Sequence, residues 1–332
     1  MTIVRQIPML CIWLALAGTA HSDITRPPPT HKPTPVWMTV FIIDVDEVDN
    51  ADQSFKVNVF FQARWRDPRL AHRQAGKVRR PLIDLWNPGL QIVNQQRVYS
   101  TFPEIAEIDP TGEVTYRQRV WGSFSQPLDL RNFPFDRQRF NIQLVAEPYS
   151  PEEIELKQDP QGKSGIADAL SFPDWKVIRW IARGETYLPN PHVDPLAGFV
   201  FAFDTDRRGG YFVLKIIVPL ILIVAMSWVV FWIDPKDGST QITVAITTIL
   251  TFIAYQFSVS NQVPRVSYLT RLDLFILVST ALIFASLIIV VVTTALARQG
   301  RGNPALTLDR WARILFPVIF AVVIVWTFVG GD

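Results

Sequence analysis

The sequence predicts a membrane protein in two parts: an extracellular β-sandwich over residues 36–208, followed by a four-helix transmembrane bundle over residues 209–332. Three observations carry this. Four long apolar stretches crowd the C-terminal part of the chain. Short runs of Val, Ile, Phe and Trp, punctuated by Pro, Gly, Asp and Asn, fill the region before them. The change from one composition to the other is abrupt and falls just after Arg207 and Arg208.

From the N-terminus, Arg5, an apolar run over 7–17 and the small residues Gly18, Thr19, Ala20 and Ser22 have the layout of a secretory signal peptide over 1–22, with cleavage expected near Ala20 or Ser22. Cys11, the only cysteine, lies inside it. The mature chain would then hold no thiol, which excludes a disulfide framework, a cysteine nucleophile and thiolate metal sites together. Export without disulfides points to a bacterial envelope protein. Residues 23–35 carry five prolines, Pro27, Pro28, Pro29, Pro33 and Pro35, and read as a stiff extended leader.

The strand pattern is clearest in two places. Phe55, Val57, Val59 and Phe61 alternate with Lys56, Asn58 and Phe60, while Phe140, Ile142 and Leu144 alternate with Asn141 and Gln143. Period-two alternation is the mark of antiparallel strands with one buried face, and several such runs make a sandwich. The formal charge of +2 says nothing about partners. The densest basic cluster, Lys77, Arg79 and Arg80, lacks interleaved aromatics, reads as a solvated loop and gives no reason to expect nucleic acid.

The apolar stretches cover 211–233, 240–260, 268–297 and 311–329, each long enough to cross a hydrocarbon core at about 1.5 Å of rise per residue. Lys236, Arg298, Arg301, Arg310 and Arg313 fall in or beside the first and third connections, against Arg265 and Arg271 around the second. The positive-inside rule therefore places the N-terminal domain and Gly330-Gly331-Asp332 outside the cytoplasm.

The second stretch differs from its neighbours, because Thr243, Thr247, Thr248, Thr251, Gln256, Ser258 and Ser260 interrupt it. Thr243, Thr247, Leu250, Ala254 and Phe257 step by four, three, four and three, which puts all five on one helical face. Hydroxyls occupy one half of that stripe and apolar groups the other. Around an axis of several copies, the hydroxyls could solvate a passing ion, and Leu250 with Phe257 could close the path by dewetting. The bland alternative is a packing face with hydroxyls bonded back to the backbone. A search for an enzyme is empty: His21, His31, His72 and His192 are scattered without metal-ligand spacing, and no nucleophile or phosphate-loop motif occurs.

Phe133-Pro134-Phe135-Asp136 followed by Gln138 resembles the signature loop of the pentameric ligand-gated ion channels. Other landmarks are collinear with it: Phe55-Lys56-Val57-Asn58 leading to Trp65, Trp86-Asn87-Pro88, Arg207 twelve residues before Pro219, Ser227-Trp228 with Phe231-Trp232, and Asn261 with Pro264. The resemblance runs from about Val36 to Val329. Gln126 and Phe140 stand where animal receptors place two cysteines, which points to the prokaryotic branch.

The resemblance implies a homopentamer in the cell membrane, in contact with lipid, without a cofactor, passing ions in response to a small-molecule agonist bound at subunit interfaces. It implies that the 133–136 loop presses on the connection around Pro264, and that Asp136 pairs with Arg207, with Asp46, Asp49 and Asp52 as further partners. It places Tyr149 and Phe199 in an aromatic ligand box, with Trp65 and Trp86 on its neighbouring landmarks and Glu147 and Glu185 as charges favouring a cationic amine. Asp237 is the selectivity candidate, ahead of Asp234, with Lys236 between them, and cations are the expected permeant ions. The family's usual acidic ring would stand where this chain has Gly238-Ser239-Thr240. The alternative from another class is a membrane-anchored β-sandwich sensor whose helices only tether it.

Overall fold

The computed structural model describes residues 25–27, 33–260, 262–300 and 302–328. The expected signal segment 1–22, most of the leader, Asn261 and the last four residues lie outside the described residues. Twelve strands form the N-terminal part among them. They are β1 (Thr34–Asp49), β2 (Ser54–Arg66), β3 (Val78–Pro81), β4 (Leu90–Ile92), β5 (Gln95–Ser100), β6 (Ile105–Ile108), β7 (Glu113–Ser125), β8 (Arg137–Ala146), β9 (Ile154–Gln158), β10 (Gly165–Ile166), β11 (Trp175–Tyr187) and β12 (Leu196–Arg207).

One sheet runs β10-β1-β2-β7-β6-β3, with β9 also on β1 and β5 also on β7; the other runs β11-β12-β8-β4. Arg79 and Arg80 are not in a loop, because Val78–Pro81 pairs with β6; Lys77 immediately precedes the strand, and Glu107 on β6 binds Arg79 at 3.0 Å and Lys77 at 3.6 Å, which gives the basic run a partner. The two sheets meet over an aromatic core. Phe55 from the first sheet lies 4.9 Å from Phe140 of the second, and Phe140 lies 5.4 Å from Phe203, its register partner on β12. Each such ring withdrawn from water contributes about 1.5–3 kcal/mol, and the alternating polar residues stay at the surface, so the period of two fixes which face turns inward.

Four helices follow: α1 (Gly210–Trp232), α2 (Gly238–Val259), α3 (Arg271–Arg298) and α4 (Gly302–Phe328), each long and apolar enough to cross a membrane. Pro219 cannot donate to the carbonyl four residues back, and Val213–Ile217 winds as a π turn. Tyr255 of α2 reaches this break, donating its hydroxyl to the Ile216 carbonyl at 2.6 Å and lying 3.4 Å from the Lys215 carbonyl that Pro219 leaves without a donor. The third helix starts at 271 rather than 268, where the Thr270 side chain and Asp273 form a reciprocal capping box. The fourth starts at 302 rather than 311. Its first two turns carry Thr307, Asp309 and Arg310, polar residues that hydropathy does not mark as helix. Aromatic pairs hold α4 to the others, among them Phe231 with Phe316 at 5.2 Å and Trp228 with Phe320 at 5.4 Å. At the start of α2, Gly238 lies so close to α3 that a Cβ there would collide with Thr294.

Candidate functional site

The two faces of α2 are chemically opposite. Gln241, Ala245, Thr248, Phe252 and Val259 are buried against the bundle. Thr243, Thr247, Leu250, Ala254 and Phe257 all face outward, with Leu250 61% and Phe257 75% exposed. Thr248, one of the polar residues that marked this segment, belongs to the buried face. The exposed threonines donate backward along the helix: Thr243 to Ser239 O, Thr247 to Thr243 O and Thr251 to Thr247 O, each at 2.8 Å. With its hydrogen committed, each hydroxyl offers only oxygen lone pairs outward. The stripe is therefore a ladder of acceptors ending in two large apolar groups.

Just before α2, Asp234 accepts from the Lys236 amide at 2.9 Å, and Asp237 is exposed with Ser239 Oγ donating to it at 3.2 Å. The Thr240 and Ser239 hydroxyls hold the Asp237 carboxyl below the usual carboxylate range.

At the opposite end of α2, the sandwich meets the helices through the loop before β8. Asp136 and Arg207 form a buried two-point pair, Nε to Oδ1 at 2.7 Å and Nη2 to Oδ2 at 3.2 Å. Gln138 donates to Asp136 Oδ2 at 2.7 Å, and the guanidinium sits 4.0 Å from the Trp175 ring and 5.0 Å from the Phe133 ring. The additional oxygen on Arg207 comes from Asn50, at 3.0 Å, and not from the neighbouring aspartates. Asp49 is occupied in accepting the Ala51 and Asp52 amides within its own turn, and Asp46 accepts from Trp121.

The loop's hydrogen bonds to the helical part go to Tyr268 and Arg271, a few residues beyond Pro264. Tyr268 Oη accepts from the Leu130 amide at 2.9 Å and donates to Leu128 O at 3.2 Å, while the Arg271 amide donates to Arg131 O at 2.9 Å. Phe133 packs on Phe212 of α1 at 4.7 Å and Phe135 on Phe328 of α4 at 5.9 Å. Pro264 instead lines a cavity of about 480 Å³ beside Phe252, Tyr255 and Arg265. Its place in the chain, near the loop's target, is what the resemblance supplied; the contacts go to the aromatic residue that follows. Gln126 Oε1 accepts from the Asn141 amide at 3.2 Å, joining the two ends of the loop, and Phe140 fills the core.

The aromatic candidates divide. Phe199, Trp65 and Trp86 are at most 3% exposed, so in this conformation they are core residues and offer a ligand no ring face. Trp65 is the last inward residue of β2, Phe199 is the β12 partner of Leu144 in a stretch buried on both faces, and Trp86 lies in the connection before β4. Tyr149 is half-buried, accepts a hydrogen bond from Trp86 Nε1 at 2.9 Å and stands next to the exposed Glu147-Pro148 turn. Glu185 faces Arg183 at 3.6 Å and lines a cleft of about 660 Å³ between β9 and β11. Among the described residues no three of His, Cys, Asp or Glu gather as a metal set. Sequence reasoning missed Asn50, Tyr268 and Asp309, a carboxyl buried inside the bundle. An acidic residue within a helix that also carries an apolar run was the available signal for the last.

Comparison with known families agrees with this architecture. The family model of the neurotransmitter-gated ion-channel ligand binding domain matches residues 15–187, and that of the neurotransmitter-gated ion-channel transmembrane region matches residues 216–305. The sandwich and the helices thus fall under two parts of one receptor plan, and the chain belongs to the neurotransmitter-gated ion-channel family.

Proposed function

We propose that this chain is one subunit of a bacterial homopentameric channel that passes cations when a small-molecule agonist binds between neighbouring extracellular domains. The observation that carries the reading is the exposed stripe of α2. Side chains on an isolated subunit's surface at membrane depth face lipid, another helix or water; back-bonded hydroxyls are tolerated in all three, and it is their outward lone pairs in a row, with Asp237 at one end, that favour water and ions here. Acceptors without free hydrogens solvate cations in preference to anions. Leu250 and Phe257 are the constriction that dewets, and Asp237, exposed at the mouth of the ladder, adds a ring of negative field. Asp136 and Arg207 carry the movement of the sandwich into Tyr268 and the helix ends. Tyr149, backed by Trp86 and close to Glu147, is the ligand contact; Trp65 and Phe199 support it from the core. The N-terminal domain lies outside the cytoplasm, consistent with the placement of basic residues.

Purified protein in planar bilayers under a sodium chloride gradient tests the reading. The expected reversal potential moves toward the sodium value, and Asp237→Asn lowers conductance at low salt, where screening is weakest. A reversal at the chloride value would refute cation passage, and absence of current under any ligand screened would favour a tethered sensor.

A further inference from the structure

At the end of the bundle remote from the sandwich, four buried polar side chains from three helices converge: Gln241 on α2, Thr293 and Thr294 on α3, and Asp309 on α4. Gln241 is fully used. Its Nε2 donates to Val230 O at 3.2 Å and to Ile233 O at 2.9 Å, where α1 gives way to the turn before α2, and its Oε1 accepts from Thr294 at 3.4 Å. Thr293 donates to Val290 O at 3.1 Å. Asp309 is the opposite case. Gln241, Arg313 and Thr293 are its polar neighbours, yet neither of its carboxyl oxygens, both sealed from solvent, has a hydrogen-bond partner of good geometry among the described residues. Arg313, one turn further along α4, is committed elsewhere, donating to Phe231 O at 2.8 Å and lying 5.6 Å from the Trp232 ring.

A buried acceptor left bare is costly, and a donor pair stands beside it holding other carbonyls. We propose that Gln241 is a two-position switch, its amide hydrogens lying either on the Val230 and Ile233 carbonyls, as here, or on the Asp309 carboxyl. In the second position Asp309 gains its donors and the turn between α1 and α2 loses its tether. Ile233 is only half-buried and the following Asp234 is exposed, so water can reach the Ile233 carbonyl when it is released. Gln241 stands two residues before Thr243, so the exchange frees the first turn of α2, where Ser239 and Asp237 sit. Asp309 is thereby a positioning residue for the inner end of the pore helix, acting through Gln241. Coupling of this kind requires an element with two discrete arrangements, and the amide supplies one.

The inference rests on the reading of α2 as the pore helix, but its test needs neither current nor agonist. Amide hydrogen exchange over residues 230–241 is measured in the full chain in lipid nanodiscs. Asp309→Ala removes the second position and is expected to slow exchange there about tenfold, the effect of one hydrogen bond to a charged group. Asp309→Asn loses the charge but keeps a carbonyl acceptor, and is expected to stay within about threefold of the unaltered protein. Gln241→Met is expected to speed exchange about tenfold and to abolish the effect of Asp309→Ala. Equal slowing in Asp309→Ala and Asp309→Asn would overturn the switch in favour of simple charge burial. Faster or unchanged exchange in Asp309→Ala would overturn it as well. Failure to conduct in bilayers would count against the pore reading and leave the exchange result standing.

Discussion

The sandwich and the helical bundle solve the burial problem differently. In the sandwich, Phe55, Val57, Phe140, Phe199 and Phe203 are all within 1% of complete burial inside a single chain. In the bundle, only 39%, 22%, 33% and 22% of the most apolar windows of α1 to α4 are buried. The first region completes its own core; the second leaves much of its surface for the surroundings to cover. Within the bundle, α2 and α4 are equally exposed but not alike. Around the middle of α4 the outward residues are Ile314, Leu315, Val318 and Val322, which suit lipid, whereas α2 turns Thr243, Thr247, Thr251 and Gln256 outward together with Ile246, Leu250, Ile253 and Phe257, a mixed surface. Equal exposure with different chemistry is what sets the proposed pore face of α2 apart from the outer face of α4.

The joint between the two regions offers the largest expected effect. Arg207→Gln leaves Asp136 buried and uncompensated, at a cost of about 3–5 kcal/mol. Thermal unfolding of Arg207→Gln, Asp136→Asn and the double variant should show strong coupling between the sites. Simple additivity would mean that the regions are joined elsewhere, through Tyr268 or Phe328. Next, Phe140→Ala should cost about 3–5 kcal/mol, because Phe55, Phe172, Trp175 and Phe203 all surround that ring. The loss should appear as early melting of the β signal in circular dichroism while the helical signal persists; simultaneous loss of both would show that the bundle depends on the sandwich.

Leu250→Ser probes the exposed face of α2. Its stability should stay within about 0.5 kcal/mol, since the side chain is exposed in the subunit. Spontaneous ion flux in reconstituted vesicles should rise as the constriction wets. Unchanged flux in a well-assembled variant would place Leu250 against another helix. The smallest effect is a pH dependence confined to the sandwich. Arg139, then Arg179, hold Asp204 down from 3.8 to about 2. A depressed carboxyl contributes stability above its ordinary value and loses it as pH falls toward the folded one, so this term fades between about pH 4 and about pH 2. Both arginines are largely exposed, which limits the term to about 1 kcal/mol or less. Urea midpoints of the unaltered protein and Arg139→Gln should differ slightly at neutral pH and converge in acid.

Much of this was legible in the sequence where a single physical rule governs the residue. Alternation revealed the inward faces of β2 and β8, and helical spacing revealed the stripe on α2. The Asp136–Arg207 pair was legible only through family resemblance, because 71 residues separate the two positions. That Trp65, Trp86 and Phe199 bury their rings was not legible for a related reason: an aromatic residue near a landmark looks the same in sequence whether its ring faces the core or a cleft. The start of α4 was hidden because its first turns are polar. Asp309 escaped notice because hydropathy averages over its apolar neighbours, and only packing reveals that its carboxyl faces Gln241.

The backward hydrogen bonds of the threonines on α2 have a mechanical consequence. Four of them, Thr243, Thr247, Thr248 and Thr251, share the carbonyl four residues back with the helix's own ladder. Such sharing loosens the ladder and lets a helix bend. The compliance is concentrated within nine residues, between the tether at Gln241 and the bulky Phe252. The helix α2 is thus softest in its first half, so, on the proposed pore reading, a tilt imposed by the sandwich at its far end would be taken up as curvature there before it reached the end near Asp237.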